Sequence, residues 1–119
     1  MRITEQMIKE RDEWLDVVSE LTGINQQDIM GKSRVEDVVM ARHLLTWVMH
    51  SLRGYSYPMC GRLLKCNPST TTHRNGIIAN WHHTKEMQTI IDKLKARNKQ
   101  EMLTQTEFVK QFKQAMKGE

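Results

Sequence analysis

The sequence contains few of the residues that break helices or cross-link a chain. Its 119 residues include only two prolines, two cysteines and six glycines. Two cysteines cannot build the disulfide framework of a small secreted domain, and they indicate reduced thiols. No segment alternates apolar and polar residues as a half-buried strand does. These absences exclude a disulfide-bonded scaffold and favour a chain that is helical throughout.

Long apolar runs are missing as well. The N-terminal stretch MRITEQMIKERDEW lacks the apolar core of a signal peptide. No segment approaches the roughly 18 apolar residues that a membrane-spanning helix needs. A mass of 14.0 kDa suits one modest hydrophobic core. We therefore expect a soluble domain in the cytoplasm, with no membrane partner.

Residues suited to catalysis or metal binding do not form recognisable motifs. The residues that could bind zinc are Cys60, Cys66, His73, His82 and His83. They do not have the paired spacings C-x₂₋₄-C and H-x₃₋₅-H of zinc sites. No cysteine–histidine nucleophile and no acid pair stands out. The phosphate-binding pattern G-x-x-x-x-G-K-[ST] does not occur. We expect no enzyme, no metal, no cofactor and no hydrolysis of ATP.

The charged residues are unevenly distributed. Residues 1–30 carry three Lys or Arg against seven Asp or Glu, whereas residues 31–85 carry eight against two. The remaining residues carry seven against five, and the formal net charge is +4. A basic middle segment suits the phosphates of a nucleic acid. It is also compatible with a solvated basic surface.

The N-terminal third predicts two helices. Apolar residues at helical spacing indicate a helix over about Thr4–Leu21, with Trp14 in the core. Thr4 suits the N-cap of this helix, and Gly23 suits its end. A short helix, Gln26–Met30, follows, with Asn25 as its N-cap.

A third helix is predicted over about Arg34–Arg53. It is apolar over much of its circumference, which places it in the middle of the domain. Ser33 and Glu36 have the spacing of a capping box at its start. Arg42 stands out within this apolar segment, either as a cation at the edge of the core or as one that reaches a nucleic-acid groove.

Residues 54–81 predict two short helices joined by a tight turn. Ser56 suits the first N-cap, Lys65-Cys66 ends the first helix, and Asn67-Pro68 starts the second. Seven polar residues, 69–75, follow in a row, so that few side chains hold the second helix to a core, namely Ile77, Ile78, Ala79 and Trp81. In a helix-turn-helix, such polar residues contact base edges in the major groove. An ordinary surface helix of a bundle is the alternative.

The C-terminal third predicts a helix from Lys85 to about Arg97, with Thr84 as its cap. A polar hinge over residues 95–100 is expected next. Thr104 or Thr106 would then cap a last amphipathic helix, whose apolar positions could pack on this domain or on a second copy, and they are Phe108, Val109, Phe112 and Met116. We therefore divide the chain into a domain, 1–97, and an extension, 98–119.

The segment from Leu21 to Ile78 resembles the C-terminal DNA-binding domain of the bacterial replication initiator DnaA. The residues that carry the resemblance fall in one register without a gap, and they are Leu21, Thr22, Gly23, Ile24, Asp28, Ile29, Lys32, Ser33, Arg34, Val38, Val39, Ala41, Arg42, Leu52, Gly54, Ser56, Pro58, Gly61, Leu64, Thr70 and Thr71. The resemblance implies an all-α fold with a DnaA/Trp-repressor-like helix-turn-helix, here followed by an extra C-terminal helix.

The resemblance also implies a function, which is binding of double-stranded DNA. In that family, the arginine that matches Arg42 enters the minor groove, and the threonines that match Thr70 and Thr71 contact bases. The family's basic loop, here Lys32-Ser33-Arg34, holds phosphates together with the end of the first helix of the pair. An aliphatic core residue of the family corresponds to Cys60, which we therefore expect to be buried.

Two departures from the family pattern concern recognition. The family carries Gly-Gly-Arg-Asp-His before its threonine pair, whereas this chain has Lys65, Cys66, Asn67, Pro68 and Ser69. Val35-Glu36 stands where the family is usually basic. We infer that the scaffold and DNA docking are retained but that the usual initiator sequence is not read in the same way. Arg74 and His73 are candidates for replacement contacts.

The prediction is therefore a DNA-binding domain without catalytic activity, associated with the nucleoid. Arg42 is expected in the minor groove. The phosphate contacts are expected from Lys32, Ser33, Arg34, Arg62 and Lys65, and the major-groove contacts from Ser69, Thr70, Thr71 and Arg74. The alternative is a protein-interaction module that keeps the fold, with the C-terminal helix contacting a second copy or another protein. An RNA-binding role is a third reading, but aromatic residues for base stacking are not evident near the turn.

Overall fold

The computed structural model describes residues 2–80 and 84–117, with side chains described as far as residue 102. These residues form six α-helices and no strand, so the all-α prediction is confirmed. The helices are α1 (Glu5–Thr22), α2 (Gln26–Met30), α3 (Glu36–Trp47), α4 (Tyr57–Leu64), α5 (Pro68–Asn80) and α6 (Lys85–Lys117), and α3 runs directly into a π-helical turn, Val48–Leu52. Among these helices, none combines the length and the apolar character needed to cross a bilayer.

The two N-terminal helices begin and end where local chemistry predicts. The Thr4 hydroxyl accepts a hydrogen bond of 3.2 Å from the Met7 N–H, and Gly23 ends α1 in the left-handed conformation, with φ of 74°. Asn25 caps α2 in the same way. Trp14 is 1% exposed and packs in the core, as expected.

The third helix differs from its prediction at both ends. It begins at Glu36 rather than Arg34, and its N-cap is Val35, which makes no side-chain capping bond. The Ser33 hydroxyl instead accepts a bond of 3.3 Å from the Val35 N–H, so the predicted capping box does not form. At the other end, the helix widens into the π-helical turn, where the Arg53 N–H donates to the carbonyl of Val48 at 2.9 Å.

The α4–α5 pair forms the predicted helix-turn-helix. Ser56 caps α4, and Lys65 ends it in the left-handed conformation, with φ of 58°. The turn between the two helices passes close to Gly61, where an added Cβ would lie 2.6 Å from the carbonyl oxygen of Cys66. A side chain does not fit there, so the tight turn depends on glycine at this position.

One hydrophobic core holds the helices together. Cys60 lies in it with no exposed surface, as the resemblance implies. Other fully buried side chains come from five helices and from the π-helical turn, and they include Val18, Ile29, Leu44, Leu45, Met49, Leu63 and Leu94. The core brings the α2–α3 loop and α5 to a common surface, since Lys32 of the loop and Arg74 of α5 line the same cavity.

The last helix is longer than predicted. Thr84 caps it, as expected, through a bond of 3.2 Å from the Met87 N–H. The helix then continues without interruption to Lys117, so the hinge over residues 95–100 and the second cap are wrong. The segment lacks Gly and Pro and consists largely of good helix formers, which explains the continuity. The division at residue 97 stays a prediction. The packing expected of Trp81, Phe108, Val109, Phe112 and Met116 lies outside the described side chains.

Arg53 connects α6 to the body of the domain. Its guanidinium pairs with Glu10 on α1 at 2.5 Å and donates to the amide oxygen of Asn98 on α6 at 2.8 Å. Glu10 also accepts a bond of 2.8 Å from the Tyr55 hydroxyl. Burial raises the pKa of Tyr55 to about 12, and the bond to Glu10 contributes in the same direction.

Candidate nucleic-acid interface

Four of the ten residues predicted to bind DNA line one concave surface. They come from the α2–α3 loop, α3, the end of α4 and α5, and they are Lys32, Arg42, Lys65 and Arg74. The cavity that they share has a volume of about 250 Å³, and its apolar part includes Leu45 and Leu64. We call it the cationic cavity. Residues that are distant in sequence thus place positive charges together, which favours binding of an anion.

Arg42 holds the α2–α3 loop against α3. Its Nε, Nη1 and Nη2 atoms donate to the carbonyl oxygens of Ile29, Ser33 and Asp28 at 2.8, 3.0 and 2.9 Å, respectively. Two of these carbonyls, those of Asp28 and Ile29, lie at the C-terminal end of α2, where helix carbonyls lack intrahelical partners. Arg42 therefore fixes the shape of the loop, a role that the sequence did not predict. Its contact with the minor groove stays a prediction.

The loop itself presents two cations. Lys32 and Arg34 are exposed on either side of Ser33, which is half-buried. Of the two, only Lys32 lines the cationic cavity. Ser33 contributes its carbonyl to Arg42 and its hydroxyl to the Val35 N–H. Ser33 therefore helps to shape the loop, and its contact with a phosphate stays a prediction; the two cations are exposed.

The end of α4 adds two further cations. Lys65 is exposed, and its left-handed backbone turns the chain from α4 into α5. Arg62 is also exposed, one turn before the end of α4, but it does not line the cationic cavity. A lysine with positive φ is uncommon because its Cβ is crowded in this conformation. The position that the family fills with glycine thus carries a charge at some cost in backbone strain.

The first half of α5 is exposed on one side only. Ser69, Thr72 and His73 are exposed, and Thr70 is half-buried. Thr71 has no exposed surface, and its hydroxyl donates to the carbonyl of Pro68 at 2.6 Å. The prediction that Thr71 faces the major groove is thereby corrected, because this side chain lies on the buried side of α5.

Polar contacts hold α5 to the domain. The Thr71 hydroxyl also lies 3.1 Å from the Tyr57 carbonyl on α4. Asn75 is 8% exposed, and its amide oxygen accepts a bond of 2.6 Å from the Ser51 hydroxyl in the π-helical turn. The spacing of Thr71, Asn75 and Ile78, at i, i+4 and i+7, was visible in the sequence and marks the buried face.

Arg74 lies at the base of the cationic cavity. Its Nη1 atom contacts the sulfur of Cys66 at 3.5 Å, and the side chain is half-buried. Burial lowers the pKa of Arg74; the neighbouring Cys66 opposes this effect, and Arg42 adds to it. Both arginines line the cavity together with the apolar Leu45 and Leu64, and a bound anion would stabilise their neighbouring charges.

A residue that the sequence did not bring forward, His43, lies behind this surface. Its Nδ1 atom is buried and has no hydrogen-bond partner among the described residues. Its ring meets that of His73 edge-on, with 6.3 Å between the centroids. Burial lowers the pKa of His43 to about 4, with smaller contributions from Arg74, His73 and Arg42. The imidazole is thus neutral at pH 7, and the local positive charge comes from the arginines and lysines. In the part of the chain that the structure describes, no three His, Cys, Asp or Glu residues cluster in a metal-binding geometry.

Comparison with known proteins identifies a family for the central part of the chain. The family described as "Bacterial dnaA protein helix-turn-helix" matches residues 12–75, from the middle of α1 to α5. Chromosomal replication initiator proteins DnaA from two strains of Leptospira biflexa serovar Patoc, Ames and Paris, are each 32% identical over 59 residues. The match covers 50% of this chain but only 13% of each relative. Because the family match spans more than half of the residues and includes α4, the turn and the first part of α5, the chain belongs to the bacterial DnaA helix-turn-helix family.

Proposed function

We propose that this chain binds double-stranded DNA through the α2–α3 loop and the α4–α5 pair, without hydrolysing a nucleotide. The observation that carries the proposal is the cationic cavity beside the exposed start of α5. Phosphate oxygens favour clustered Lys and Arg side chains, and exposed hydroxyls at a helix start suit the floor of the major groove. Membership of the DnaA helix-turn-helix family supports the same assignment. We place the protein on the nucleoid in the cytoplasm.

The proposed contacts fall into two groups. Exposed cations around the cavity bind phosphates, and they are Lys32, Arg34, Arg62 and Lys65. Exposed or half-exposed residues on α5 face the major groove, and they are Ser69, Thr70, Thr72 and His73. Arg74, predicted from the sequence to face the major groove, lines the cationic cavity, so we assign it to a phosphate there instead. In this scheme, Ser33 and Arg42 shape the loop and keep their predicted contacts, Ser33 with a phosphate and Arg42 with the minor groove.

A titration of random-sequence duplex at several salt concentrations tests the proposal. We expect binding to weaken steeply with salt, because each phosphate contact releases counterions. The plot of log K against log salt has a negative slope. The double variant Lys32→Ala with Lys65→Ala should make this slope shallower by about 2, because two phosphate contacts are lost. The matched control is Lys9→Ala with Lys93→Ala, which removes the same charge from exposed positions on α1 and α6.

Two results would contradict the proposal. One is the absence of binding even at low salt, which would favour the protein-interaction module. The other is an equal loss for the interface pair and the control pair, which would indicate that only net charge matters. If the duplex does bind, selection from random DNA sequences identifies the preferred site. On that site, Ser69→Ala and Thr70→Ala should each reduce discrimination between bases, at a cost of about 1 kcal/mol or more.

A further inference from the structure

A second concave surface shares no lining residue with the cationic cavity. It is a groove of about 460 Å³ between the end of α1, the start of α3 and the start of α6. Ile24 and Met40 contribute to an apolar floor and are partly exposed. Three exposed acidic residues stand at its rim, Glu36, Asp37 and Glu86, and no Lys or Arg is among the described residues that line it. We call it the acidic groove.

The charge of the acidic groove indicates what it can bind. Three carboxylates repel the phosphates of DNA, so this surface is distinct from the proposed DNA interface. An apolar floor inside an acidic rim suits an amphipathic helix whose polar side carries lysine or arginine. Met87 and Ile90 extend the floor along the first turns of α6. A helix lying beside α6 would therefore meet apolar residues first and carboxylates at its edges.

The C-terminal part of α6, residues 104–117, has the complementary pattern. Its large apolar residues fall within about 100° of the helix circumference, and they are Phe108, Val109, Phe112 and Met116. Lysines occupy positions outside that arc, and they are Lys110, Lys113 and Lys117. The segment contains one acidic residue, Glu107, so its charge is positive. We call it the α6 tail.

The α6 tail cannot enter the acidic groove of its own chain. Between Ile90 in the groove and Phe108 in the tail, the helix is continuous. With a rise of 1.5 Å per residue, the two positions lie about 27 Å apart along the helix axis. Only a tail from another molecule can reach the groove.

We propose that two copies of this chain form a symmetric dimer in which each α6 tail occupies the acidic groove of the other copy. The positions of the two segments on α6 favour this arrangement. The groove segment, Thr84–Ile90, and the apolar tail segment, 108–116, lie at equal distances on either side of residues 99–100. Antiparallel α6 helices related by a two-fold axis near those residues fill both grooves at once. Such an interface closes on itself and forms no filament.

Sedimentation equilibrium on the full chain without DNA tests the dimer. We expect the wild-type protein to reach twice its mass of 14.0 kDa at micromolar concentrations. A groove variant, Glu36→Lys with Glu86→Lys, and a tail variant, Lys110→Glu with Lys113→Glu, should each weaken the homodimer at least about tenfold through like-charge contacts. Mixed in equal amounts, the two variants should form a heterodimer, because each tail then meets a groove of opposite charge.

A matched control separates this effect from a change in net charge. Arg2→Glu with Lys9→Glu makes the same charge change as the tail variant at exposed positions on or next to α1, and should leave the dimer intact. Circular dichroism verifies that all variants are folded. A wild-type protein that stays monomeric, or variants that dimerise normally, would overturn the proposal. Because no DNA is present, neither outcome bears on the DNA-binding proposal, which the salt titration tests separately.

Discussion

The Nη1 atom of Arg42 donates a hydrogen bond of 3.0 Å to the carbonyl oxygen of Ser33. A side chain on α3 thus holds the loop that precedes α3, and the loop presents Lys32 and Arg34 to solvent. The same guanidinium binds two carbonyls at the end of α2. The shape of the loop therefore depends on one cation that the loop does not contain.

Arg42→Ala should lower the free energy of unfolding by about 2–4 kcal/mol, because three carbonyl oxygens lose a charged donor. Arg42→Lys keeps the charge but not the planar fork, so it should weaken DNA binding while leaving the salt slope unchanged. Urea unfolding and DNA titration at several salt concentrations measure both effects. Lys32→Ala is the control. It should leave the free energy of unfolding unchanged and make the salt slope of DNA binding shallower by about 1. A lysine variant with wild-type affinity would argue against the positioning role.

Gly61→Ala should destabilise the domain by about 1–3 kcal/mol, because the new Cβ would lie 2.6 Å from the carbonyl oxygen of Cys66. Gly76→Ala on α5 serves as the matched control. There the nearest atom, the amide nitrogen of Asn80, lies 3.8 Å from the new Cβ, so alanine should stabilise the helix by up to about 1 kcal/mol. Equilibrium unfolding in urea measures both changes. Equal effects of the two substitutions would show that the turn does not pack tightly against Gly61.

Lys65→Gly should raise stability and weaken DNA binding at the same time. Glycine relieves the left-handed backbone at φ of 58° but is more flexible in the unfolded chain, which leaves a gain of about 0.5–1 kcal/mol. The lost charge should reduce the salt slope by about 1. Lys65→Ala separates the two effects, since it removes the charge but keeps the strain. If alanine stabilises as much as glycine, backbone strain is not the cause.

Stability should decrease as the pH falls from about 6.5 to 4, in part because of His43. The folded protein holds the pKa of this imidazole near 4, whereas the unfolded chain binds the proton near 6.5. In that interval the unfolded state carries more protons, so protonation favours unfolding, and the effect levels off below pH 4. NMR titration of the His43 ring measures the pKa directly. His43→Gln should flatten this part of the stability curve, and parallel curves for the two proteins would contradict the assignment.

The parts of the fold that depend on neighbouring residues were predictable. Thr4, Asn25, Ser56 and Thr84 each cap the helix that follows, because a capping side chain acts within three residues of its own position. The helix-turn-helix was also predictable, from Ser56, Asn67-Pro68 and the polar start of α5. The boundaries of α1 agree with prediction to within one residue.

The parts that depend on distant contacts were not predictable. Ser33 has the spacing of a cap, but Arg42 binds its carbonyl and the helix begins three residues later. Thr71 faces inward because Tyr57 on another helix accepts its hydroxyl. The burial of His43 depends on how α5 packs across α3. A single sequence therefore predicts helix caps well, but it predicts the orientation of one helix against another poorly.

The π-helical turn at Val48–Leu52 determines how Arg53 is rotated about the helix axis relative to Arg42. Upstream of it, Arg42 shapes the proposed DNA contact, and downstream of it, Arg53 reaches Glu10 and Asn98. Each residue rotates an α-helix by about 100°, so shortening this turn by one residue would swing Arg53 away from both partners. The contacts of Arg53 with α1 and α6 therefore depend on the length of this one turn.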